Sequence, residues 1–135
     1  DNLLKDMSGI EKCQSLKELH VSKNQLTTLN HICLLQNLEE LHISENRLEF
    51  LTNIEKLTKL KILHVDNNKL ISLSGVEHLH LTELYCEGNM LPHHNYIDFQ
   101  EETGEFQKIK KHLLENPYTH SKKVSTFNSR TGLLD

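Results

Sequence analysis

One pattern of leucine, other apolar residues and asparagine returns along this chain every 22 residues. Its three complete copies place an asparagine at the ninth position of each, at Asn24, Asn46 and Asn68. A unit this short cannot bury its own apolar residues, so each copy has to pack against its neighbours. The sequence therefore predicts a solenoid in which successive copies stack around one continuous core.

The array extends beyond the three complete copies in both directions. A fourth copy runs from Leu81 through Asn89 to Leu91, one residue early because the third copy is short near residues 78–80. A partial copy at residues 2–13 precedes the first complete one in the same phase. Residues 1–91 are thus assigned to repeats, and the start inside a repeat leads us to expect further sequence upstream.

The spacing within a copy predicts its local structure. Leu41 and Ile43 are two apart, which is the strand period, so both should point into the core while His42 points outward. The asparagine stands where the chain leaves the strand, and its amide can bind backbone groups that a tight turn buries. Apolar residues then come every three, as at Leu48 and Leu51, which suits 3₁₀-like segments returning on the convex side.

At these residues the chain resembles the leucine-rich-repeat family. Its 22-residue copies, with Ile32, Ile54 and Val76 at the seventeenth position, are similar to the subclass found in protein-phosphatase-1 regulatory repeat proteins and bacterial internalins. The resemblance covers residues 2–91. It implies an α/β fold, a right-handed solenoid with a concave parallel β-sheet, in which outward strand residues contact another protein.

The repeat pattern stops after Leu91. Residues 105–116 carry an amphipathic pattern with apolar side chains at helical spacing, before Pro117 interrupts it. These apolar residues are Phe106, Ile109, Leu113 and Leu114. We predict a helical C-terminal cap over residues 92–117 that covers the last core layer, followed by a polar tail over residues 118–135.

Composition argues against several classes of partner. The formal net charge is -4, with 15 basic and 19 acidic residues, so nucleic acid is not an expected partner. No run approaches the roughly 20 apolar residues that a membrane span needs. Three irregularly spaced cysteines do not form a disulfide framework, which favours a reducing compartment. We expect a cytoplasmic protein, or one secreted into a host cytoplasm if it is a bacterial effector.

The sequence predicts no enzyme and no cofactor. Cys13 and Cys86 occupy apolar positions of the repeat and are predicted to be core thiols. Cys33 lies near His31, but a third group to orient such a pair is missing from the pattern. With only 5 glycines, the chain also has no glycine-rich phosphate loop.

The outward strand positions carry a column of similar side chains. One histidine occurs at the same position in each complete copy, and a tyrosine follows in the fourth. The predicted partner-binding residues are His20, His42, His64 and Tyr85 with the flanking acids Glu18, Glu40, Glu83 and Asp66. An acidic face with a histidine column favours a basic or hydrogen-bonding partner. The alternative is a solvated surface that was duplicated together with its repeats.

Two further alternatives concern metal binding and catalysis. Neighbouring histidines with Glu40 could bind zinc, but side chains on a strand ladder are expected to diverge, so no metal site is predicted. The chain is interpreted as a protein interaction module or adaptor. It could instead be the substrate-recognition domain of a larger enzyme, such as a ligase or phosphatase complex, with catalysis outside this chain.

Overall fold

A computed structural model describes residues 2–92 and, beyond them, short stretches at 99–100, 110–111, 114–115, 127–128 and 133–134. Each complete copy of the repeat folds into a three-residue strand, a turn and a three-residue 3₁₀ helix, while the partial copy supplies a 3₁₀ helix and the fourth copy a strand. The strands are β1 (Glu18–His20), β2 (Glu40–His42), β3 (Ile62–His64) and β4 (Glu83–Tyr85); the 3₁₀ helices are η1 (Ile10–Lys12), η2 (Ile32–Leu34), η3 (Ile54–Lys56) and η4 (Val76–His78). The predicted 3₁₀ segments are confirmed.

The four strands form one parallel sheet in sequence order. Each strand pairs in register with the equivalent residues of the next copy, so that Leu41 lies between Leu19 and Leu63. This register follows from the period, because a shift by one residue would turn every core leucine out to solvent. The outward side chains therefore form columns across the sheet.

The core is a continuous stack of leucine, isoleucine and valine. In the second and third copies, all the apolar residues that define the repeat are at most 2% exposed, including Leu41 and Leu63 at 0%. The first copy is more open, with Leu19 at 9%. Packing of copy on copy therefore supplies the burial that a single copy lacks.

The buried asparagines connect each copy to the one before it. Asn46 Oδ1 accepts a hydrogen bond from the Leu26 backbone N–H at 2.9 Å, and its Nδ2 donates to the carbonyls of Val21 and Ile43 at 3.0 and 3.1 Å. Asn68 repeats this arrangement one copy later. The side-chain amide supplies one acceptor and two donors, which explains why asparagine and not leucine occupies this position.

A left-handed backbone position precedes each asparagine. Lys23, Glu45 and Asn67 have φ angles of 61°, 54° and 56°, and Gly88 takes the same position in the fourth copy at 73°. A Cβ on Gly88 would lie 2.2 Å from Asn67 Oδ1, so a larger residue there would have to displace that side-chain amide. The variety of residues at this position gave no sequence signal for the turn.

The segment predicted as a helical cap lies mostly outside the described residues. Within 92–117, Phe99–Gln100 form a strand, β5, that pairs antiparallel with β4, and residues 110–111 and 114–115 are helical. Leu114 is 61% exposed, so it does not belong to a covered apolar face as predicted. In the predicted tail, β6 (Phe127–Asn128) pairs with β7 (Leu133–Leu134). The cap itself stays a prediction.

One core prediction is wrong. Cys13 is exposed, whereas Cys86 is buried as predicted. Cys13 lies just after η1 in the first layer, which packs on one neighbouring layer through η2 and has no described copy on its other side. Cys13 therefore lacks the packing that buries Leu35, Leu57 and Leu79 at the same position of the later copies.

Candidate recognition face

The eight predicted partner-binding residues all belong to the outward side of the sheet. The strands alternate their side chains, so the residues on either side of each core leucine point away from the core. We call this surface the histidine face, formed by His20, His42, His64, Tyr85, Glu18, Glu40 and Glu83. Asp66 lies two residues beyond His64 on the same side. Their placement agrees with the prediction, whereas a role in binding a partner stays a prediction.

The four rings of the histidine face form a continuous stack. His20 and His42 are stacked with centroids 4.1 Å apart and 8° between their planes, and His64 and Tyr85 are stacked at 4.3 Å and 7°. His42 and His64 instead meet edge to face, at 4.3 Å and 73°. Side-chain exposure falls along the stack, from 61% for His20 to 20% for His42 and 19% for His64.

Each imidazole also contacts a carboxylate. His20 Nε2 lies 3.1 Å from Glu18 Oε1, and His42 Nε2 lies 3.4 Å from Glu40 Oε2. In both cases the acid belongs to the same strand, two residues earlier. His64 differs, because its Nε2 binds Glu83 Oε2 on the next strand.

His64 contacts an acid on the next strand because of the residue at position 62. Position 62, where the first two copies have glutamate, is isoleucine, so β3 offers no acid on the outward side next to His64. The ring turns toward Glu83 across the sheet, and its Nδ1 comes to lie 3.1 Å from Nδ1 of His42. Because β3 has no glutamate at position 62, His64 contacts both Glu83 and His42.

The electrostatics of His42 reflect its central position. Burial lowers the pKa of His42, and the neighbouring His64 and His20 lower it further, whereas Glu40 acts in the opposite direction. A charged imidazole at the centre of the stack would lose solvation and face other histidines. The charged form of His42 is therefore less favourable than that of a free imidazole.

Asp66 is engaged by its neighbours in a second column. Its Oδ1 accepts the hydroxyl hydrogen of Ser44 at 2.5 Å, and its Oδ2 accepts from Asn67 Nδ2 at 3.2 Å. Ser22 Oγ in turn accepts from the Ser44 backbone N–H at 3.0 Å. Asp66 thus connects the start of its own turn to that of the preceding copy.

The side chains of the histidine face converge more than expected. His20, Glu40 and His42 each offer a ligand atom, and these atoms all lie within 4.8 Å of one another. Side chains on a regular strand ladder were expected to diverge along a line. The rings are instead held together by stacking and by their carboxylates, which brings atoms of adjacent strands into one cluster.

The thiols do not contribute to this face. Cys33 is buried in η2, where its Sγ donates to the Thr52 carbonyl at 3.6 Å, and burial raises its pKa to about 12. A thiol in that state is a poor nucleophile. Cys86 is a core residue behind β4. Packing accounts for both.

Comparisons with known proteins agree with the repeat architecture. A family model of two leucine-rich repeats matches residues 36–78, which span β2, β3 and the turns between them. The chain is a leucine-rich repeat protein. Among curated proteins, no sequence matches it.

Several solved leucine-rich repeat structures are similar. The internalin inlF of Listeria monocytogenes is 28% identical over 67% of this chain and 27% of its own, with a TM-score of 0.64. The functional domain of InlJ from the same organism is 40% identical over 64% of this chain and 19% of its own, with a TM-score of 0.59; its structure includes a cysteine ladder. A leucine-rich repeat protein of Leptospira interrogans is 31% identical over 84% of this chain and 28% of its own, with a TM-score of 0.65.

These similarities support the internalin side of the predicted resemblance. This leucine-rich repeat chain spans between 19% and 28% of the length of the three similar structures. Leucine-rich repeat domains generally mediate protein–protein interaction. Among the described residues, no helix has the length and apolarity that crossing a membrane requires.

Proposed function

We propose that this leucine-rich repeat protein binds another protein through the histidine face. The observation that supports the proposal best is the continuous stack of four rings on the outward side of the sheet. Flat rings with a polar edge offer large contact area at a low cost in side-chain entropy, which suits recognition surfaces. The stack lies on strands that the core fixes in position, so the surface is preorganised.

The charge of the face indicates the chemistry of the partner. Glu18, Glu40 and Glu83 border the rings, and no outward position of β1–β4 carries Lys or Arg. The carboxylates give this surface a negative character, and the lowered pKa of His42 opposes a positive charge at its centre. A basic segment is therefore the expected ligand, since complementary charge selects partners and accelerates their encounter.

The test uses two matched sets of substitutions. Glu18, Glu40 and Glu83→Gln removes three negative charges from the face, while Glu45, Glu49 and Glu55→Gln removes the same charge from exposed positions outside the strands. A partner is first captured with the native chain and identified by mass spectrometry. Its affinity for the three proteins is then measured at two salt concentrations.

The face variant should bind at least about tenfold more weakly and lose most of its salt dependence, because the removed charges act on the partner directly. The control variant should bind as the native chain does. Equal affinities for the two variants would place the contacts elsewhere on the molecule.

A further inference from the structure

The protonation pattern of the histidine face has a consequence for cation binding. Glu83 is a carboxylate, so His64 Nε2–H donates to it. When both imidazoles are neutral, His64 Nδ1 carries a lone pair and accepts from His42 Nδ1–H at 3.1 Å. The remaining nitrogen of His42, Nε2, then carries a lone pair as well.

That lone pair faces a carboxylate. His42 Nε2 lies 3.4 Å from Glu40 Oε2, and neither atom holds a hydrogen in this tautomer. Two acceptors that face each other repel, and a cation between them turns the repulsion into attraction. Two zinc ligands at bond lengths of about 2.0–2.1 Å are about 3.3 Å apart in tetrahedral geometry, so this pair already has the required separation.

A third ligand lies within reach on the neighbouring strand. A ring nitrogen of His20 lies within 4.8 Å of the ligand atoms of Glu40 and His42, a separation wider than a bound zinc ion requires. The His20 ring stacks parallel to His42 and has to rotate to direct its lone pair at the same ion. Its side chain is 61% exposed and can rotate without disturbing the core.

We propose that His20, Glu40 and His42 form a binding site for a divalent transition-metal ion such as Zn²⁺, with His64 and Glu83 as positioning residues. Metal-bound histidines commonly donate their other ring N–H to an acceptor that fixes the tautomer and the ring orientation. Here that acceptor is His64, which Glu83 orients in turn. Two imidazoles and one carboxylate match the ligand preference of Zn²⁺ and leave a coordination position open.

The site is tested by titrating the isolated chain with ZnCl₂ in a calorimeter, without any partner. The native chain should bind one ion at this site, and binding should be lost in a His20, His42→Gln double variant. Glu40→Gln should weaken it by at least about tenfold. The matched control is a His78, His80→Gln double variant, which removes two exposed histidines outside the sheet and should bind as the native chain does.

A further variant separates positioning from ligation. His64→Phe keeps a ring in the stack and removes the acceptor of the His42 proton, so zinc affinity should fall by about 10–100-fold. Circular dichroism checks that each variant is folded. If the native chain binds no zinc, or if the His20, His42→Gln variant binds it as tightly as the control variant, the proposal is wrong. Because no partner is present, this outcome is independent of the proposed protein recognition.

Discussion

Leu41 and His42 are adjacent in sequence and lie on opposite sides of β2. Leu41 is fully buried between the leucines of β1 and β3, whereas His42 contacts other rings on the outward side. Side chains alternate between the two faces of the sheet along a strand, so adjacent residues have different surroundings. One residue thus belongs to the core and its neighbour to the histidine face.

Substitution should separate these roles. Leu41→Ala should lower the free energy of unfolding by about 2–5 kcal/mol, because it leaves a cavity between two copies that the fixed neighbouring leucines cannot fill. His42→Ala should cost about 1 kcal/mol or less, since only outward ring contacts are lost. Urea-induced unfolding of both variants measures the difference. Equal losses would show that the strand phase is assigned wrongly.

At the scale of elements, the strands and 3₁₀ helices depend on their neighbours. A three-residue strand has little stability alone, and the asparagine hydrogen bonds that define each turn reach into the previous copy. The burial of the first and last layers of the array should therefore depend most on the segments that pack against them. Cys13 in the first layer is exposed, while Leu84 and Cys86 in the last described layer are 0% and 1% exposed.

Truncation tests what keeps the last layer buried. Deleting residues 93–135 removes β5 from the edge of β4 together with the predicted cap, and should lower Tm by more than about 5 °C and promote self-association, because apolar surface is exposed. Deleting residues 118–135 alone should have a much smaller effect. Thermal unfolding and size-exclusion chromatography compare the two. Equal losses of Tm in the two truncated chains would show that residues 118–135 cover the last layer.

For the molecule as a whole, the repeat pattern and the family resemblance together predicted most of the fold. The spacing within a copy predicted the core positions and the outward column, and the resemblance implied the parallel sheet. The repeat pattern could not predict the effect of positions where one copy differs from the others. Position 62 changes the partner of His64, and the ring orientation that follows brings together ligand atoms that an ideal ladder would keep apart.

The left-handed turns were missed for a related reason. Lysine, glutamate, asparagine and glycine all adopt this conformation in the four copies, so the residue type does not predict it. The residues after Leu91 do not repeat, so the period carries no information about them. The predicted burial of Cys13 was wrong because the position of a residue within a copy does not indicate whether another copy packs against it.

The central claim is that the histidine face contacts the protein partner, and two histidines of equal exposure allow a direct test. The side chain of His20 on this face is 61% exposed and that of His78 in η4 is 60% exposed. Diethyl pyrocarbonate labels accessible imidazoles, and mass spectrometry reads each site separately. With EDTA present to exclude metal ions, saturating partner should strongly reduce labelling of His20 and leave that of His78 unchanged. Undiminished labelling of His20 in the complex would contradict the account.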